Sequence, residues 1–296
     1  MNFNEYQTQA NKTDQNNSKI GVEGVHIPLL GLAGETGTLL TEYKKRLRDG
    51  ESHKLFPTQF KEELGDILWY ISNIAYKLDL KLEDIAEANL LKIKERWKNM
   101  SKETSLVQDT FFDDDCDQEE QIPREFEVHF KEISLGGKVQ VKISINGVNI
   151  GDSLTDNSYE DDGYRYHDAF HFAYAAVLGW SPVVRSILRK KRKSKAKIDE
   201  VEDGARATIL EEAVTAFVYN HAKNYDLYKK VKVLDYDLLK TIKGLVSGLE
   251  VKVRTLTEWQ KAILDGYKLF NNLVENNGGK IYINLYKREI KYLDKD

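Results

Sequence analysis

The sequence predicts an N-terminal all-α helical bundle followed by an α+β domain with a small antiparallel sheet. Two changes of hydrophobic period carry this expectation. Apolar residues recur at spacings of three and four from Asn4 to about Met100, and the period drops to two from Glu125. Helical spacing returns near Tyr164 and gives way to a last alternating hairpin after Val274.

The first helical stripe runs through Leu29, Leu32, Ala33, Leu39, Leu40, Tyr43 and Leu47. A second holds Phe60, Leu64, Ile67, Leu68, Ile71, Ile74, Ala75 and Leu78; a third holds Leu82, Ile85, Ala86, Ile93 and Trp97. Thr58, after Pro57, is a candidate cap for the middle helix, and Glu83-Asp84 suits the positive start of the next. Short links between three or four such helices imply an antiparallel bundle over residues 1–103. Periodicity is lost from Ser101 to Arg124 and acid dominates, so residues 104–124 read as an acidic linker. The α+β domain then occupies 125–296. Its opening runs, EFEVHFKEISL, KVQVKISI and VNIGDSL, are separated by Gly136-Gly137 and Asn146-Gly147, which are hairpin turns of a three-stranded meander. The final run, GGKIYINLYKREIKYL, could join the same sheet.

Composition narrows the function classes. The chain has 296 residues, a formal net charge of -4, 41% hydrophobic and 31% charged residues, one cysteine and 4 prolines. That apolar fraction excludes a disordered chain and a length of this order suggests two domains. The lone Cys116 cannot form an internal disulfide, which fits a reducing, cytoplasmic setting. The start, MNFNEYQTQANKTDQNN, lacks the cationic and apolar parts of a signal peptide, and no apolar run is long enough for a membrane helix. Charge is locally biased. Asp113, Asp114, Asp115, Asp117, Glu119 and Glu120 crowd one segment, and Arg185, Arg189, Lys190, Lys191, Arg192, Lys193, Lys195 and Lys197 another. Both read as solvated faces or loops, and the lack of a broad basic bias argues against a nucleic-acid partner.

The chemistry-bearing residues lie on the first bundle. Glu63 and Asp66 are three apart on one helix, on a flank of its apolar stripe, and Glu35 and Glu42, with Thr38 between them, take the matching flank of theirs. Two packed helices would bring three or four carboxylates to one border of the core. Their repulsion requires a bound positive charge, and hard cations such as Mg²⁺ prefer oxygen ligands. Gly34, Gly37 and Gly65 interrupt these helices at roughly 1 kcal/mol each, which suggests close approach by a backbone or a flat ligand. Ordinary exposed acids on charged helices are the competing reading.

The stretches Glu5-Tyr6-Gln7, LGLAGETGTLL, KEELGDILWYISNIA and LEDIAEANLLKIKERW, in this order over about the first third of the chain, resemble the MazG-type all-α nucleotide pyrophosphohydrolases. The resemblance implies Mg²⁺, with Mn²⁺ as an alternative, held by Glu35, Glu63 and Asp66 with Glu62 close by. The family's second glutamate on the first helix falls on Thr38, a departure for which Glu42, one turn on, is a candidate substitute. Asn89 and Lys92 match polar positions that the family uses near the nucleotide; a hydrogen-bonded core asparagine is the other reading of Asn89. Lys44, Lys45 and Arg46 could meet phosphates or complement a helix C-terminus. Trp69 and Tyr76 project away from the main stripe, either onto their own domain or into a subunit contact, since family members form dimers or tetramers. The implied reaction is hydrolysis of a nucleoside triphosphate to monophosphate and pyrophosphate, with Glu62, Glu63 and Glu42 as catalytic candidates. The rival reading, motivated by Thr38, is a nucleotide-sensing or interaction module.

The second domain resembles domains appended to some MazG-like proteins. ILEEAVTAFVYNHAKNYD reads like FKEELGDILWYISNIAYKLD, with Glu211-Glu212 on Glu62-Glu63 and Thr215 on Asp66. A degenerate second bundle would place Asp168, His171 and Glu212 beside one pocket, with Arg189, Lys191 and Arg192 nearby for phosphate, in a regulatory or partner-binding role. His167-Asp168 could instead head an HD-type phosphohydrolase site, or these polar residues could simply pack against the meander.

Overall fold

The computed structural model describes residues 1–16, 20–97 and 111–293. It divides into two compact units, Met1–Lys94 and Glu95–Asp296. Residues 104–110 of the expected linker, and the Trp97 side chain, lie outside the described residues.

The first unit holds four helices: α1 (Phe3–Asn11), α2 (His26–Asp49), α3 (Phe56–Lys77) and α4 (Leu82–Trp97), the last running three residues past its boundary. Helix α1 opens with a capping box: the Asn2 side chain accepts the Glu5 N–H at 2.8 Å, and Glu5 accepts the Asn2 N–H at 3.1 Å. Gln7 fastens α1 to the α3–α4 turn, donating to the Leu80 carbonyl at 2.9 Å and accepting the Leu82 N–H at 3.1 Å. Thr58 does not cap α3. The helix begins one residue before Pro57, where a missing N–H costs nothing, and Leu55 takes the cap position without a side-chain bond.

Trp69 lies against its own unit, its indole N–H donating to the Ala10 carbonyl at 3.2 Å and to Thr13 Oγ1 at 2.8 Å. Lys77 is buried beneath the α1 turn, 2.7 Å from Asp14 and donating to the Asn16 carbonyl at 2.8 Å. Much of the α2 stripe is not core: Leu29, Leu40 and Leu47 are 48%, 63% and 68% exposed, and on the next helices Leu64, Ile71, Tyr76 and Ile93 are exposed too. Helical spacing identifies an apolar face but not what covers it.

The second unit is built around one five-stranded antiparallel sheet. Its strands are β1 (Glu125–Leu135), β2 (Lys138–Ile145), β3 (Val148–Leu154), β4 (Gly278–Asn284) and β5 (Glu289–Leu293), in the order β3-β2-β1-β4-β5. The meander and the last hairpin therefore share a sheet, joined by the β1–β4 pairing that sets Val128 against Ile281. Gly136-Gly137 and Asn146-Gly147 all have positive φ, the backbone hand that matches strand twist in a two-residue turn. Alternation puts Val128, Phe130, Val141, Ile143, Ile281 and Ile283 on the buried face.

Six helices complete this unit: α5 (Asp168–Leu178), α6 (Pro182–Ile187), α7 (Ala196–Val201), α8 (Ala205–Lys223), α9 (Tyr236–Leu245) and α10 (Leu256–Glu275). Every residue of α5 is buried, so it is the central element, packed against α10 through Phe170, Tyr267 and Phe270. Polar groups on α5 are thereby forced to find partners inside the core.

From Phe111 on, the acidic stretch belongs to the second unit and is not a solvated linker. Asp113 is buried, 2.7 Å from Arg124 and 2.8 Å from Arg185, and accepts the Ile122 N–H at 2.9 Å. Burial pushes its carboxyl up, but the Arg124 hydrogen bond and the Arg185 charge hold it below the ordinary range. Opposite charge runs about seventy residues apart pair with one another, which charge counting along a chain does not reveal. Lys195 likewise meets Asp115, and Ser194 donates to Glu120.

Candidate metal and nucleotide site

Helices α2 and α3 pack together and bring one carboxylate oxygen each from Glu35, Glu63 and Asp66 within 4.8 Å of one another. Glu35 and Glu63 are half-buried and Asp66 is exposed, so the group is open on one side. Glu63 Oε2 is buried and makes no hydrogen bond. Burial pushes the Glu63 carboxyl above its ordinary range, and the charges of Glu35, Asp66, Glu42 and Glu62 push it further. A buried acceptor without a donor, in a set of three carboxylates, fits a hard divalent cation with oxygen ligands.

The neighbours sort themselves by contact. Thr38 adds no carboxylate to the group, and its hydroxyl donates back to the Gly34 carbonyl at 3.2 Å on the exposed side of α2. Glu42 does not take its place. It is buried and ion-paired to Lys45 through one oxygen, its Oε2 lies 3.6 Å from His53 Nε2 without a hydrogen bond, and its charge acts on Glu63. Lys45 is thus committed to Glu42. Arg46 donates to the Gly50 carbonyl at 2.6 Å and pairs with Glu51, the helix-terminus role. Glu62, Lys44, Asn89 and Lys92 are exposed, so Asn89 is not a core amide.

Two contributors escaped the sequence reading. Tyr6 feels the Asp66 charge, which adds to burial in raising its hydroxyl pKa. His53, bonded to Gln59 at 2.9 Å, faces Glu42. A lone tyrosine and a lone loop histidine carry no spacing signal. The glycine argument also moves. A Cβ on Gly34, Gly37 or Gly65 meets nothing within 4 Å among the described residues, whereas one on Gly31 would lie 2.2–2.6 Å from the Tyr70 ring. Close approach therefore occurs at Gly31.

In the second unit, Asp168, His171 and Glu212 do come together, joined by His167. One ligand atom each of His167, Asp168 and His171 lie within 4.8 Å of one another, all three residues being buried. His171 Nδ1 is 2.8 Å from Glu211 Oε1, and Nε2 is 3.4 Å from Glu212 Oε2. Burial lowers the His171 pKa, but the Glu211 and Glu212 carboxylates override it and raise it to about 10. Glu211 also accepts from Ser181 at 2.6 Å and from the Val183 N–H at 2.9 Å. Arg192 is not a phosphate contact: it is buried, bonded to Asp203 at 2.7 and 3.0 Å and to Glu250 at 2.7 and 3.0 Å. Lys191 is half-buried and Arg189 exposed.

The fold and site define a helical domain carrying a carboxylate cluster, followed by an α+β domain. The family described as the MazG nucleotide pyrophosphohydrolase domain matches residues 28–101, and the MazG C-terminal domain family matches residues 107–296. The chain belongs to the MazG family, with both of these parts present. The "Gene 37 protein" of Mycobacterium phage L5 is 35% identical over 77 residues, covering 25% of this chain and 68% of the phage protein. No solved structure matches the chain. No helix among the described residues is long and apolar enough to cross a membrane.

Proposed function

We propose that the first unit hydrolyses nucleoside triphosphates, ribo or deoxy, to the monophosphate and pyrophosphate in a Mg²⁺-dependent reaction, with Mn²⁺ as a substitute. The observation that carries this reading is the buried, unbonded Glu63 Oε2 beside Glu35 and Asp66, in a chain whose family is that of nucleotide pyrophosphohydrolases. Glu35, Glu63 and Asp66 would hold the cation. Bound there, it offsets polyphosphate charge and makes an attacking water more acidic.

The chain's own groups supply the rest. Glu62, exposed and adjacent to the cluster, is placed to accept the proton of the water. Glu42 keeps Lys45 in position and adds negative potential that favours cation binding at Glu63. Lys44, Asn89 and Lys92 are the groups offered to the nucleotide. The exposed apolar residues of α2, α3 and α4 suit a homodimer or homotetramer, and the second unit serves as the regulatory or partner-binding part of a cytoplasmic protein.

A second reading is favoured by Thr38, whose hydroxyl is spent on the Gly34 carbonyl. The unit would then bind nucleotide and hydrolyse it weakly or not at all. Incubation of the full chain with Mg²⁺ and a panel of NTPs and dNTPs separates the two. Monophosphate plus pyrophosphate, lost in Glu63→Ala without loss of helical structure, supports the enzyme. No turnover with retained nucleotide binding supports the sensor, and full activity of Glu63→Ala overturns the mechanism.

A further inference from the structure

The His167–Asp168–His171 cluster is arranged in a way that neither the carboxylate site nor core packing accounts for. It stands at the start of α5, whose every residue is buried. Both imidazoles have one nitrogen already anchored. His167 Nδ1 lies 2.8 Å from the Tyr164 carbonyl, so it must carry the proton, and His171 Nδ1 lies 2.8 Å from Glu211 Oε1. The Tyr164 ring stacks on His167 at 4.5 Å and 4°, which fixes the plane of that imidazole. Carbonyl or carboxylate anchoring of Nδ1 is the arrangement that aims Nε2 of a histidine at a metal.

The two Nε2 atoms are turned toward carboxylates that make no other use of them. His171 is fully buried, and its Nε2 makes no hydrogen bond. The Asp168 side chain is buried and engages no hydrogen-bond donor among the described residues. His167 Nε2 stands 3.6 Å from Asp168 Oδ1, and His171 Nε2 stands 3.4 Å from Glu212 Oε2. Ligands at about 2.0–2.1 Å around a tetrahedral ion are about 3.4 Å apart; each pair is near that spacing, and His167, Asp168 and His171 offer ligand atoms all within 4.8 Å of one another. The two separations are too long for good hydrogen bonds between the same atoms.

We propose that His167, Asp168 and His171, with Glu212 at the edge beside His171, form a binding site for a divalent transition-metal ion of the zinc class. Two imidazoles with one or two carboxylates select such an ion over Mg²⁺, which favours all-oxygen sets. The site is therefore chemically distinct from the Glu35–Glu63–Asp66 cluster. Glu212 is 44% exposed while the other three are buried, so an ion and its exchangeable water would be reached from that side. Glu211 is a positioning residue: it touches His171 Nδ1 and not the ion. Ligation requires an Nε2 that carries no proton, so metal binding and His171 protonation compete.

The test uses the full chain, stripped by chelator and titrated with Co²⁺ or Zn²⁺ in excess Mg²⁺, on a Glu63→Gln background so that the oxygen cluster does not interfere. The expected result is about one ion retained per chain after gel filtration, with a visible Co²⁺ absorption of the kind nitrogen ligation produces. His167→Gln and Asp168→Asn should each weaken binding by at least about tenfold, and Glu211→Gln by roughly 10–100-fold. His171 variants are avoided because the residue is fully buried; His167 lies nearer the surface and its variant should keep the far-UV spectrum. Failure of the folded Glu63→Gln protein to retain Co²⁺ or Zn²⁺ overturns the proposal. So does undiminished binding by both His167→Gln and Asp168→Asn. In either case the cluster is an internal ion-pair network.

Discussion

Asp203 holds two buried guanidinium groups, and Asp203→Ala measures what that arrangement contributes. Arg192 gives it hydrogen bonds from Nε at 3.0 Å, from Nη2 at 2.7 Å and from its backbone N–H at 2.7 Å, while Arg185 Nε lies 3.6 Å away. Asp203 and Arg192 are fully buried. Without Asp203, Arg192 keeps Glu250 and the Phe112 carbonyl at 2.9 Å, and Arg185 keeps Asp113. Stranding part of a buried cation's compensation costs about 3–5 kcal/mol. In a unit of this size that lowers the melting temperature by about 6–20 °C, at roughly 2–4 °C per kcal/mol. Urea unfolding followed by the fluorescence of Trp180 and Trp259, both in the core of this unit, reads the loss as a lower midpoint at unchanged slope. A double variant, Asp203→Leu with Arg192→Met, should recover most of it, because removing both partners strands only Arg185 and Glu250 in part. A loss below about 1 kcal/mol in Asp203→Ala would refute the reasoning, since it would mean that water screens these charges.

The carboxylate cluster supports further expectations. Thr38→Glu should tighten Mg²⁺ binding by isothermal titration, and should create or raise turnover if the wild type is weak; unchanged affinity would show that position 38 lies beyond reach of the ion. Glu63 has its pKa raised in the folded state, so its ionised form opposes folding and the native protein takes up its proton first as pH falls. In EDTA, Glu63→Gln should melt higher than wild type at about pH 7, the gap should shrink as pH falls and wild-type Glu63 protonates, and Mg²⁺ should reverse the order. A wild type that stays the more stable at neutral pH in EDTA would count against a repulsive cluster. Gly31→Ala drives a methyl group into the Tyr70 ring and should cost about 1–2 kcal/mol, while Gly34→Ala enters open space and should gain up to about 1 kcal/mol of helix propensity. Thermal melts giving both changes the same sign would contradict the packing described for α2 and α3.

The carboxylate cluster was legible because a helix converts spacing into geometry. Residues three apart face the same way, so the Glu63–Asp66 pair could be read before any fold was known. The same rule found Asp168 and His171. It also paired His167 with His171, four residues on; what spacing did not show is that the Tyr164 carbonyl fixes the His167 ring. Glu42 and Thr38 show the limit from the other side. Both sit on the expected flank of α2, yet one is taken by Lys45 and the other by its own backbone. Local competition for a side chain decides such cases, and it leaves no periodic trace.

Periodicity, glycine-pair turns and composition determined the order of elements: three or four helices, a meander, a helical stretch and a returning hairpin. Each is a local consequence of how side chains repeat along one segment. Only the tertiary structure decided what depends on meetings between distant segments. It joined β1 to β4, buried Asp113 against Arg185 and Arg192 against Asp203 where the sequence shows only local charge, and left much of the α2 stripe exposed. The reason is that a charge or a methyl group carries no record in the sequence of what will lie against it; burial and pairing are properties of two surfaces, and a linear pattern describes one.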